Sequence, residues 1–297
     1  MLLFLRKFAT PGFRKIASVA IVIATLLLFA YYAHDKPELL DGLRSVDIST
    51  GIALLALYGA ILLTNTSILH WSVEACSRAI SHFESLLLTS YSSLVNFFGP
   101  LQSGPGFRLL YLKKKHDVSV KSYGTVTILY YGVFGLASLL LIGFGINPLL
   151  AMIGLAIILF GAALGGWYVN KRYKQLVKYP LQIGKITVMT LLQVAVTVLI
   201  YYLELHVVDK DISFSQALIY TGTANLALFV ALTPGALGIR ESFLFFSQHL
   251  HHISSHTIIE ASVIDRGVYF IFLGILFVFS ASFNIGDRLK KQTKVGL

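Results

Sequence analysis

The sequence predicts an all-α integral membrane protein with six transmembrane helices and two re-entrant broken-helix hairpins in an inverted repeat. Three observations carry that prediction. Of 297 residues, 56% are hydrophobic and only 13% charged, whereas ordinary soluble domains carry about a quarter charged residues. Mean hydropathy is +0.75, and the apolar residues gather in long runs separated by short polar loops. Two of those runs are cut by Gly- and Pro-rich breaks. A soluble fold is therefore excluded. The net charge of +10 reads as an orientation signal beside membrane spans, not as a nucleic-acid surface, and no nucleic-acid partner is expected. A single cysteine, Cys76, excludes an intramolecular disulfide and a thiolate metal site.

The first apolar run, 16–33, follows Arg6, Lys7, Arg14 and Lys15. It is long enough to span, and its end lacks the small-x-small pattern of a cleaved signal peptide, so it is expected to remain as the first span. Five more spans are expected at 48–71, 122–146, 149–169, 184–207 and 259–283. Between them, the run 83–98 meets a break containing Pro100, Gly104 and Gly106, and only a short arm, 107–112, follows. At 1.5 Å per residue the first arm reaches roughly 24 Å, short of a hydrocarbon core of about 30 Å. The run 212–232 likewise meets Pro234, Gly235 and Gly238, then a short arm at 239–246. Both are expected to return to the side they came from.

Basic residues test that reading. With two returning hairpins, one side receives the four N-terminal basic residues, Lys113, Lys114, Lys115 and Lys121, then Lys171, Arg172, Lys174 and Lys178, and finally Arg288, Lys290, Lys291 and Lys294. The other side receives Lys36, Arg44 and Lys210 among six acids. A single crossing by either hairpin would scatter the later clusters over both sides. The expected location is the plasma (inner) membrane, multi-pass, with both termini cytoplasmic.

The two halves also resemble each other. Residues 106–108 (Gly-Phe-Arg) lie over 238–240 (Gly-Ile-Arg), and 127–134 over 262–269, in the same order. One polytopic domain, 1–297, is thus expected to contain a first half at 48–146, a second at 184–283, and a connecting span and basic loop at 147–183. Paired interruptions in oppositely oriented halves point to a transporter with a site near the midplane.

Arg108, Arg240, Glu241, Asp265 and Arg266 fall at membrane depth, with Glu204 near the outer end of its span. Each such charge is costly unless it is paired or faces a watery cavity. An Arg at the start of each hairpin's second arm, beside a helix N-terminus with free N–H groups, suits a phosphate. The alternative is architectural: Arg240 pairs with Glu241 or Asp265, and Arg108 reaches to the interface. Asn96, Gln102, Asn225 and Thr233 flank the breaks as candidate uncharged headgroup contacts or as helix-helix hydrogen bonders. Tyr130 and Tyr131 stand in the first half where Asp265 and Arg266 stand in the second. His249, His251, His252 and His256 share a loop, but no carboxylate or cysteine completes a metal site beside them. No Walker A loop, HExxH or GxSxG is present, so neither an enzyme nor a cofactor is expected.

These residues resemble the transmembrane region of lysylphosphatidylglycerol synthetases and their stand-alone, flippase-like relatives. That family shows an Asn followed by P-x-R-x-G-E-x-x-R, and later P-G-G-x-G-x-R-E. Here the second motif reads Pro234-Gly-Ala-Leu-Gly-Ile-Arg240-Glu241. In the first, Asn96, Pro100, Gly104 and Arg108 match, while Gln102 replaces an Arg, Pro105 an acid, and Tyr130 and Tyr131 an acid-Arg pair. The resemblance implies movement of a phospholipid or glycolipid headgroup between leaflets. The soluble aminoacyl-transferase domain of the synthetases is not in this sequence. A membrane subunit supporting a lipid-modifying or glycosylating enzyme partner, and a small-anion carrier, are the other readings.

Overall fold

The computed structural model describes residues 46–99, 103–156, 180–230, 236 and 238–283, and among these all regular structure is helical. The helices are α1 (Ile48–Ala75), α2 (His82–Phe98), α3 (Ser103–His116), α4 (Val120–Ile146), α5 (Pro180–Val208), α6 (Phe214–Ala227), α7 (Ile239–Phe246), α8 (Gln248–His251) and α9 (Ser255–Ser282). Four of them, α1, α4, α5 and Ser255–Ser280 of α9, are long and apolar enough to cross a membrane. A lipid-exposed backbone must satisfy its own N–H and C=O groups, which favours unbroken helices in these apolar runs. The spans expected at 48–71, 122–146, 184–207 and 259–283 thus each coincide with a helix of sufficient length and apolarity. The span expected at 16–33 and most of that at 149–169 lie outside the described residues, although 148–156 are helical.

Polar residues punctuate the apolar runs. The Ser81 hydroxyl caps α2 by accepting the Glu84 N–H at 3.1 Å, and Ser119 accepts the Ser122 N–H to open α4. Ser213 and Gln216 form a reciprocal capping box at the start of α6. At the start of α1, Ser49 donates to the Asp47 carboxylate.

Contacts fix the direction of each helix. Tyr58 of α1 meets Glu204 of α5, while Lys185 lies over the Trp71 ring, so α1 and α5 are antiparallel. Tyr91 of α2 donates to the Ser280 carbonyl of α9 at 2.9 Å. One end of the bundle therefore gathers the C-terminus of α1, Lys113, Lys114, Lys115, Lys121, Lys185 and the C-terminus of α9. Asp47, Asp209 and Asp211 mark the other, acidic end.

Each interrupted run forms a helical hairpin. Antiparallel pairing of α2 and α3 places Gly104 beside Asn96, Arg108 beside Ser92 and Lys115 beside Glu84. This hairpin opens at the basic end. In the second, the Gln216 side chain donates to the His251 carbonyl at 2.9 Å, so the hairpin from α6 to α8 opens at the acidic end. The His251 ring links this mouth together: Nδ1 accepts the Ile253 N–H, and Nε2 donates to the Leu244 carbonyl at 3.0 Å.

The structure corrects two helix-break assignments. Gly104 and Gly106 lie inside α3, not in the break, because α3 already begins at Ser103. Pro105 is tolerated there since first-turn N–H groups have no helical partner to lose. Gly104 serves packing instead: a Cβ there would stand 2.7 Å from the Ser92 carbonyl oxygen. Gly238 does sit at a break, with φ of 77°, and Ala236 holds φ of 56°.

The principal core joins Leu54 and Tyr58 of α1 to Ile200 and Leu205 of α5, Ala217 and Tyr220 of α6, Leu244 of α7, and Ile258 and Ile264 of α9. Another close contact, between α4 and α6, depends on glycine. A Cβ on Gly222 would lie 2.5 Å from the Ser138 carbonyl oxygen, and one on Gly145 would lie 2.7 Å from that of Ser215. Such approach of backbones is how helices gain contact where lipid competes equally for apolar side chains.

Candidate anion site in the second hairpin

Four helices converge on Arg240, the second residue of α7. Its Nη1 lies 2.7 Å from Asp265 Oδ2 and donates to the Tyr201 hydroxyl at 3.3 Å. The guanidinium also lies over the Tyr201 ring, 5.8 Å from its centroid. Tyr58 donates to Asp265 Oδ1 at 2.6 Å and approaches Glu204 Oε1 at 3.4 Å. Beside this group, Arg266 Nη2 donates to Glu241 Oε1 at 2.6 Å, and that oxygen lies 3.8 Å from Arg240 Nη2. Arg240 is 6% exposed, Asp265 8% and Glu204 1%. Charges so buried are tolerated through such pairing.

The remaining edge of the Arg240 guanidinium is met, among the described residues, by Glu241 alone, whose Oε1 stands 3.8 Å from Nη2, beyond hydrogen-bond distance. Its Nε and Nη2 are buried and have no hydrogen-bond partner among the described residues. Nε and Nη2 together form the side-on fork that binds two oxygens of a phosphate or carboxylate. Unsatisfied buried donors carry a large desolvation penalty, so this edge suits a further acceptor beside Glu241.

Of the two arginines that the sequence places beside a helix start, Arg240 stands in the first turn of its helix and Arg108 beyond the first turn. The Gly238 N–H at the start of α7 already donates to Glu241 Oε2 at 2.8 Å. Arg108 stands in the second turn of α3, where its Nε donates to Ser92 Oγ at 2.7 Å. No carboxylate among the described residues lies within ion-pair distance of it. Arg108 and Arg240 are not brought into contact. The Tyr269 ring lies 5.1 Å from that of Tyr58 and 5.6 Å from that of Phe97.

Of the uncharged candidates, Asn96 accepts the Gly104 N–H at 3.3 Å and Asn225 donates to Thr197 at 3.4 Å. Both tie helices together. Pro100, Gln102, Thr233, Pro234 and Gly235 lie outside the described residues. Tyr130, the first-half counterpart of Asp265, donates to Gln193 Oε1 at 3.2 Å. Tyr58 and Tyr201 were not legible as site residues, although a polar side chain within a long apolar run is itself a signal.

A second polar cluster closes the mouth of the first hairpin, outside the four spanning helices. Tyr111, Lys115 and His116 of α3 all meet Glu84 Oε1, at 2.6, 2.8 and 2.8 Å. Burial opposes ionisation of Glu84, but hydrogen bonds from Lys115, Tyr111 and His116 outweigh it and hold the carboxyl below its ordinary range. A depressed folded-state pKa stabilises above the unfolded value, about 4.3 for Glu, and that contribution is lost as pH falls through the depressed value. Glu84→Gln is therefore expected to speed amide exchange in α3 at neutral pH. It should also remove the acid-induced loosening of α3 that is expected in the wild type. Equal exchange in both proteins would show that Glu84 does not hold the arms together.

The family model described as the lysylphosphatidylglycerol synthase TM region matches residues 15–276. It covers both hairpins and every residue of the Arg240 cluster. No curated protein matches the chain.

Proposed function

Because the chain belongs to the family of the lysylphosphatidylglycerol synthase transmembrane region, we propose that this multi-pass membrane protein moves the headgroup of a phospholipid or glycolipid between leaflets. The observation that carries the reading is the buried Nε and Nη2 edge of Arg240, which makes no hydrogen bond among the described residues. A lipid phosphate satisfies both donors at once. Arg108, held by Ser92 and facing no carboxylate among the described residues, supplies a second cation on the side of the first hairpin. Glu241 and Asp265 set the geometry of the two second-half arginines or meet a cationic group of the headgroup.

The hairpins open at opposite ends of the bundle, which supports reading them as re-entrant elements of two inverted halves that alternate access to a central site. The basic end is then cytoplasmic, both termini lie on that side, and the membrane is the plasma (inner) membrane. The protein is a carrier and not an enzyme. Lipid is its substrate, and a lipid-modifying enzyme that produces or consumes that lipid is its natural partner.

The test is reconstitution in vesicles with headgroup-labelled phospholipids and glycolipids and a membrane-impermeant quencher. Acceleration over empty vesicles for one headgroup class is expected. Arg240→Lys keeps the charge opposite Asp265 but removes the fork, and is expected to slow exchange about tenfold or more while the protein stays folded. No acceleration across the panel would move the reading to a subunit that supports a partner enzyme. Undiminished exchange in Arg240→Lys would remove Arg240 from the site.

A further inference from the structure

We infer that Glu204 is a proton-binding site that couples lipid movement to a proton gradient. The coupling rests on the lipid-transport reading; the proton site itself does not.

The argument begins with partners. The Arg240 cluster contains three carboxyl groups, Glu204, Glu241 and Asp265, but two guanidinium groups. Arg240 pairs with Asp265 and Arg266 with Glu241. Glu204 is left over. It is 1% exposed, and among the described residues no Lys, Arg or His lies within ion-pair distance of it. Its one hydrogen bond among the described residues is the 3.4 Å approach of the Tyr58 hydroxyl, whose proton is directed to Asp265 at 2.6 Å.

The groups facing Glu204 come from every side. They are Tyr58 of α1, Tyr220 of α6, Arg240 of α7, Asp265 of α9, and Tyr201 one turn earlier on its own helix. Arg240 is the one cation among them, and it spends Nη1 on Asp265 and Tyr201. A buried carboxylate without a cation is too costly to persist bare. The packed tyrosines leave the proton as the cation that fits, and buried intramembrane acids of this kind mark proton pathways.

Coupling follows from the shared cation. A lipid phosphate on the Nε and Nη2 edge of Arg240 offsets the field that Arg240 exerts at Glu204 and so favours proton uptake on the Glu204 carboxylate. Departure of the phosphate favours release of the same proton. Linkage requires the converse as well: a protonated Glu204 strengthens phosphate binding. Lipid and proton then travel together, entering from one side and leaving on the other.

The experiment uses the full chain in lipid vesicles with an imposed proton gradient, a sodium gradient or none, for wild type and Glu204→Gln. In the wild type a tenfold proton gradient is expected to sustain up to about a tenfold leaflet asymmetry of labelled lipid for one-to-one coupling. In Glu204→Gln the asymmetry is expected to vanish while gradient-independent exchange continues. An unchanged proton response in the variant, or a wild type that answers to sodium alone, overturns the proposal. Infrared difference spectra of the same vesicles across a pH titration decide the site without reference to lipid. A protonated-carboxyl band present in wild type and absent in Glu204→Gln supports it, and no such band in wild type overturns it. If lipid never moves in the wild type, the transport reading and the coupling fail together, and the infrared band alone still decides whether Glu204 binds a proton.

Discussion

Asp265→Ala is expected to destabilise the protein by about 3–5 kcal/mol, the cost of leaving a buried guanidinium without its counter-charge. Arg240 is 6% exposed and its shortest contact is the 2.7 Å pair with Asp265. Removing the carboxylate also strands the Tyr58 hydroxyl, which donates to Asp265 at 2.6 Å. The loss should appear as a lower midpoint in detergent-denaturant titration. A companion variant separates architecture from function. Arg240→Met combined with Asp265→Leu replaces the pair with apolar volume and is expected to recover most of the stability while lipid exchange stays lost. Recovery of both would make the pair purely architectural. A change below about 1 kcal/mol in Asp265→Ala would mean that water or another group reaches Arg240.

Gly222→Ala is expected to cost about 1–3 kcal/mol, and more if the helices cannot separate. The added Cβ would fall 2.5 Å from the Ser138 carbonyl oxygen and 2.6 Å from Ile142 Cγ1. A backbone oxygen moves only with its helix, so α6 must back away from α4. Gly145→Ala asks for the same displacement from the opposite partner, with the Ser215 carbonyl oxygen at 2.7 Å. Because one separation relieves both clashes, the double variant is expected to fall short of additivity. Additive losses in unfolding measurements would show that the two contacts are independent.

Much of the architecture was legible in the chain because a bilayer imposes length and polarity together. Helix ends near 48, 146 and 208 follow from where apolar residues stop. The grouping of Arg240, Glu241, Asp265 and Arg266 was legible as a set of membrane-depth charges that each needed a partner. Who pairs with whom was not. Arg240 reaches 25 residues along the chain to Asp265 at 2.7 Å, and adjacent Glu241 lies closer to Arg266 and the Gly238 N–H than to Arg240. Such choices depend on how α7 is rotated against α9, which no local pattern encodes. Gly104 misled for a related reason: a glycine that breaks a helix and one that lets two helices touch look alike in sequence.

The Lys185 ammonium over Trp71 bears on the bilayer itself. At 28 and 29 residues, α1 and α5 are each about 40 Å long at 1.5 Å per residue, longer than a hydrocarbon core of about 30 Å. An indole and an amine prefer the headgroup layer, and their contact ties the two helices at one depth. Sliding one past the other is therefore costly, and a thinner membrane is met by tilting both together. Hydrophobic thickness thus becomes a lever on the angle between this pair and the glycine-locked α4 and α6.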